Sequence, residues 1–181
     1  MEQLATLDLT PLSAPRLAYI DCYRVIDGPA AAAITASRAP LLLNLGGDPL
    51  SDTVAEAASR RHIAFVQTNL DEHDAARAEA VAADLYARLH PETVVVTLGR
   101  LGALGYTSEG AFRVQTQQIP VRHTHGAGAA FSGALAHAYL TGATVHRAVH
   151  AACVAGTSHC AATDAIPHQR TDVDRIMEAL S

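Results

Sequence analysis

Four short apolar runs, at residues 17–20, 41–45, 63–67 and 93–98, alternate with three longer alanine-rich stretches at 29–37, 52–61 and 72–89. Runs this short, rich in Val, Ile and Leu, read as strands buried on both faces, and the amphipathic stretches between them read as helices. The order β-α-β-α-β-α-β predicts a parallel sheet of the doubly wound kind, because parallel neighbours need a crossover of about this length. Ligands of such sheets gather at the carboxyl ends of the strands, so the chemistry is expected in the loops that follow them. After residue 98 the rhythm changes. Residues 103–107, the turn Ser108-Glu109-Gly110 and residues 111–116 read as an antiparallel hairpin, and further helices are expected at 128–140, 145–161 and 172–180.

A chain of 181 residues with 49% hydrophobic content buries one sizeable core, which predicts a single α/β domain over 16–181. Residues 1–15, small and punctuated by Pro11 and Pro15, read as an N-terminal arm. All thirteen basic residues are Arg, scattered along a chain of net charge -5, so there is no basic face for nucleic acid. The absence of Lys excludes Schiff-base chemistry, pyridoxal-phosphate enzymes and a Walker A loop. Cys22, Cys153 and Cys160 are odd in number and lack CxxC spacing, which signals neither a disulfide framework nor a structural zinc site and fits a reducing cytoplasm. No apolar run reaches the roughly 20 residues that cross a bilayer, and no signal-peptide pattern opens the chain, so a soluble, unprocessed protein without membrane contact is expected.

The stretch His123-Thr124-His125-Gly126-Ala127-Gly128-Ala129-Ala130-Phe131 leads straight into a helix. Small residues there let backbone N–H groups converge on an anion, with the helix dipole favouring negative charge. An isolated Gly-Ala-Gly also serves tight helix packing alone. Asn69 and Glu72 have two readings: an acidic site after a strand, or a cap in which Asn69 and Glu72 start the next helix. His146, His150 and Cys153 share one helical face; burial of the Cys and packing of the imidazoles account for them better than a metal does.

Taken together, these stretches resemble the ribokinase or PfkB family of carbohydrate and nucleoside kinases. The segment 123–131 is similar to its DTTGAGDxF signature. Residues 94–103, with Thr97, Gly99 and Gly102, look like its TxGxxG loop beside the nucleotide phosphates. Asn69-Leu70-Asp71-Glu72 resembles the NxxE motif associated with magnesium and phosphate, and residues 149–155 resemble the helix that walls the adenine pocket. The resemblance implies a three-layer α/β/α ribokinase-like domain with a mostly parallel sheet. It also implies ATP or ADP held by Gly126, Ala127, Gly128, Ala129, Thr97, Gly99 and Gly102, with magnesium near Asn69 and Glu72. It covers only the C-terminal part of the family, without the segment that carries the lid over the sugar. An open sheet edge is then expected to be covered by a second copy or another protein.

Two departures bear on function. Ala129 stands where the family has the Asp that accepts the proton of the attacked hydroxyl, and loss of such a base costs roughly 10²- to 10⁴-fold. His123, His125 and His150 stand where the family has Asp, Thr and Asn, and His159 where a Thr is frequent. Imidazoles can act as acid, base or oxyanion partner near neutral pH, which makes His123, His125 and His150 candidate catalytic residues. Three functions follow from the resemblance: His-assisted chemistry on a small anionic or glycosyl-like substrate, an ATP-dependent carbohydrate or nucleoside kinase with a substituted base, or a nucleotide-binding pseudokinase.

Overall fold

The structure is a computed structural model and describes residues 15–162 and Glu178. The arm expected over residues 1–15 and the helix expected over 172–180 lie outside the described residues, apart from Pro15 and the helical Glu178. Six strands form one sheet in the order β1 (Ala18–Asp21), β2 (Leu41–Asn44), β3 (Ile63–Asn69), β4 (Thr93–Thr97), β5 (Ala103–Thr107) and β6 (Gly110–Val114). The first four pair in parallel and the last two add an antiparallel hairpin, as the change of rhythm predicted.

Helices α1 (Asp27–Ala36), α2 (Asp52–Ala58) and α3 (Ala78–Leu89) connect the parallel strands, and α4 (Ala127–Leu140) and α5 (Val145–Ala161) follow the hairpin. Local chemistry sets several boundaries. Pro29 sits in the first turn of α1, where its missing N–H costs nothing, and the Ser51 hydroxyl accepts the N–H of Val54 at 3.2 Å to cap α2. Residues 72–77 form a 3₁₀ turn headed by Asp71, whose side chain makes no capping bond, and α3 begins only at Ala78. This corrects the helix start expected at residue 72 and the Asn69–Glu72 capping pair.

Alternation along the strands divides the core between the two sheet faces. Leu41, Leu43, Val66, Val94 and Val96 pack under α1, α2 and α3, whereas Leu42, Phe65 and Val95 pack under α4 and α5. The result is three layers, α/β/α. The described strands run in sequence order without the reversal of a doubly wound sheet, and the second helical layer comes instead from the chain after the hairpin. Asp21, Asn44, Asn69 and Thr97 therefore end their strands at one end of the sheet, and the N-terminal part of α4 lies near it: the Ser132 hydroxyl is 2.8 Å from Oε1 of Gln67, two residues before the end of β3. Among the described residues no helix is long and apolar enough to cross a membrane.

Candidate functional site

At this end of the sheet the loop after β4 folds back on itself. The Leu98 N–H donates to Gly102 O at 2.8 Å and the Gly102 N–H to Gly99 O at 3.1 Å. Gly99 has φ +55, and a β-carbon there would lie 2.7 Å from Glu72 Oε1, so the loop closes over Glu72 only because this residue is glycine. The Arg100 N–H donates to Glu72 Oε1 at 2.9 Å, and Arg100 Nε forms an ion pair with Glu72 Oε2 at 2.5 Å. Glu72 thus reaches the loop carrying Thr97, Gly99 and Gly102. Asn69 does not join it: it lines a separate groove of about 560 Å³ with Gly47, Arg77 and Arg88.

Gly126 caps α4 in a left-handed conformation, φ 86. The Ala127 N–H is taken by Thr124 O at 3.2 Å and the Ala130 N–H by Gly126 O at 2.9 Å. No bond among the described residues takes the N–H groups of Gly128 and Ala129, the two remaining donors of the first turn. The turn is set from beneath. His159, buried on α5, donates from Nε2 to His125 O at 2.9 Å, and a β-carbon on Gly126 would come within 2.7 Å of that nitrogen.

One cavity of about 480 Å³ joins these parts. Its walls are Thr97, Gly99, Arg100 and Gly102 with Glu72 on one side, and Ala127, Gly128 and Phe131 on another. Cys153, Gly156, Thr157 and Cys160 of α5 form a third wall, and residues between Thr116 and Val121 form a fourth. Thr116 and Thr157 share a hydrogen bond between their hydroxyls, and Gln118 Nε2 donates to Arg100 O at 3.1 Å, so the irregular segment after β6 is tied to both neighbours. A cavity of this size and apolar lining suits a drug-sized molecule.

The three histidines expected at the site lie elsewhere than on the cavity wall. His123, His125 and His150 do not line the cavity. The His123 ring packs edge-on to His159, with centroids 5.1 Å apart and both ring nitrogens buried without a hydrogen-bond partner. His125 is exposed and His150 half-buried. His146 packs at a tilt against Phe112 and Cys153 faces the cavity, so the trio with His150 forms no ligand cluster among the described residues. Burial pushes the Cys153 thiol up to about 12 and also raises Cys160. Asp71, His73 and Asp74 bring ligand atoms within 4.8 Å of one another on the surface.

A second polar group lies at the ends of β1 and β2 and carried no spacing signal. Tyr19 donates to Asp21 Oδ1 at 2.7 Å, and Asn44 Nδ2 lies 2.8 Å from that oxygen, 2.9 Å from the Tyr19 hydroxyl and 3.1 Å from the Tyr23 hydroxyl. Burial first, then Asp21, raises both phenols above their usual range.

The profile of the pfkB family carbohydrate kinases matches residues 30–171. The chain belongs to the pfkB family. Phosphofructokinase-2 from Escherichia coli superposes with a TM-score of 0.72 at 20% identity, over 99% of this chain and 60% of that one. Ribokinase from Thermotoga maritima gives 0.69 at 16% identity, over 97% and 61%. A Burkholderia thailandensis nucleoside kinase in complex with inosine gives 0.67 at 16%, over 93% and 57%. The chain therefore spans about three fifths of the length of these pfkB relatives. No curated protein sequence matches it.

The pfkB resemblance implies a nucleotide and magnesium, and the residues here treat the two differently. Free N–H groups at Gly128 and Ala129 at the head of α4, beside the cavity, fit a phosphate. Glu72 is not free for magnesium as it stands: Oε1 accepts the Arg100 N–H and Oε2 is ion-paired with Nε, so a metal would compete with Arg100 for this carboxylate.

Proposed function

We propose that this chain is a nucleotide-binding pfkB protein that lacks the family's ordinary means of activating an acceptor hydroxyl. The observation that carries this reading is the single cavity that gathers the β4–β5 loop, the head of α4 and one face of α5. The base of ADP or ATP would lie among Phe131, Cys153 and Gly156, and its phosphates toward Gly128. There the free backbone N–H groups and the helix dipole stabilise negative charge. Ala129 offers a methyl group where a proton acceptor is required, and none of the candidate imidazoles faces the cavity to replace it.

Calorimetric titration with ADP, followed by ATP turnover with a panel of sugars and nucleosides, tests the reading. Binding without appreciable transfer is expected. Ala129→Asp should then raise transfer by about 10²-fold, while Ala129→Asn should not, because only the carboxylate accepts a proton. Wild-type turnover comparable to that of Ala129→Asp would replace this reading with that of an active kinase. One observation favours that second reading: the Tyr19, Asp21, Tyr23 and Asn44 cluster offers aromatic faces, a carboxylate and a carboxamide, the chemistry that grips vicinal hydroxyls of a carbohydrate.

A further inference from the structure

Glu72 is the acid of the NxxE stretch, and the groups around it are already those a cation would supply. Magnesium at a nucleotide site is held by one or two carboxylates together with phosphate oxygens in near-octahedral geometry, and an arginine already on the carboxylate competes with it. Here Oε1 accepts the Arg100 N–H at 2.9 Å and Oε2 lies 2.5 Å from Arg100 Nε in an ion pair. Glu72 and Arg100 both line the cavity, and among the described residues Arg100 is the one Arg or Lys on its wall. A bare Glu72 would repel an incoming polyphosphate. Paired with Arg100 it does not, and the guanidinium keeps further N–H donors for phosphate oxygens.

We infer that Arg100 takes the electrostatic place of a divalent metal in this cavity, so that the chain binds nucleotide phosphates without magnesium. The inference rests on the nucleotide reading above. An ion pair whose Arg side chain is 71% exposed is weak alone. The backbone N–H of the same residue makes a second attachment to Glu72, and the glycine at position 99 is what allows the loop to sit that close.

The test is ADP titrated calorimetrically into the full chain, once in MgCl₂ and once in EDTA, for wild type, Arg100→Ala and Arg100→Lys. Wild-type affinity should differ by less than about threefold between the two buffers. Arg100→Ala should lose about tenfold in EDTA and regain most of it in magnesium, once Glu72 is released to share a metal. Arg100→Lys keeps the charge without the fork and should fall between them. Wild-type binding seen only with magnesium overturns the role of Arg100 and leaves the nucleotide site standing, and that comparison needs no variant to fold. Equal affinities of wild type and Arg100→Ala in EDTA do the same. No ADP binding in either buffer overturns the nucleotide site and this inference together.

Discussion

Two glycines two residues apart have opposite duties. Gly126 holds φ 86, and a β-carbon would meet His159 Nε2 at 2.7 Å, so Gly126→Ala should destabilise the fold by about 1–3 kcal/mol. Gly128 lies within the first turn of α4, and a β-carbon there meets nothing within 4 Å. Gly128→Ala should therefore stabilise by about 0.5–1 kcal/mol, since alanine loses less entropy than glycine on entering a helix. The added methyl stands on the cavity wall beside a donor assigned to phosphate, so the same variant should bind ADP about tenfold more weakly. Thermal melts and calorimetry on the pair separate these effects. A Gly128→Ala protein that gained stability and kept full ADP affinity would remove the phosphate from the head of α4.

At the scale of elements, α5 presents Cys153, Gly156, Thr157 and Cys160 to the cavity, a spacing of three, four and seven that places them on one face. Cys160 is half-buried, while Cys22 and Cys153 are buried and their thiols are pushed up to about 12, chiefly by burial. An alkylating reagent at neutral pH should label Cys160 ahead of the other two, and ADP should slow that labelling; mass spectrometry of timed samples reads both. Labelling of Cys160 indifferent to ADP would place the nucleotide elsewhere. The strands, the hairpin and the helix at 145–161 were legible because apolar spacing reports burial on two faces or one. The loop at Thr97–Gly102 and the start of α4 were legible because glycine is required where backbones approach closely. What escaped was assembled by tertiary contact. The wall between Thr116 and Val121 is irregular chain, the Tyr19–Asp21–Asn44 cluster comes from two strand ends, and Asn69 does not cap a helix with Glu72 because the chain from Glu72 to Arg77 forms a 3₁₀ turn headed by Asp71. The histidines carried the right chemistry, but sequence spacing does not report that His159 turns inward to hold the loop while His125 faces solvent.

The whole molecule is a sheet with one core on each face, and each core encloses a thiol: Cys22 lies with α1 and α2, Cys153 with α4 and α5. Both are pushed from an ordinary 9.0 up to about 12, Cys22 by burial and then by Asp21 and Asp27, Cys153 by burial. Between these values the unfolded chain releases the thiol protons and the folded chain keeps them, so the unfolded state gains as pH rises. Stability is therefore full below about pH 9 and falls as pH climbs toward 12, by up to about 1.4 kcal/mol per thiol for each pH unit. The Tyr19 phenol, raised by burial and Asp21, adds to the loss at the alkaline end. Because the two thiols sit on opposite faces of one sheet, their contributions should sum if the layers unfold together. Urea melts from pH 8 to 10.5 on wild type, Cys22→Ala, Cys153→Ala and the double variant measure this. The expected outcome is a pH slope reduced by each single change and reduced additively by the double, whatever the constant cost of the lost sulfur atoms. A slope that only one of the two changes alters would mean that one helical layer opens before the other, and the sheet would then not bind its two faces into a single cooperative unit.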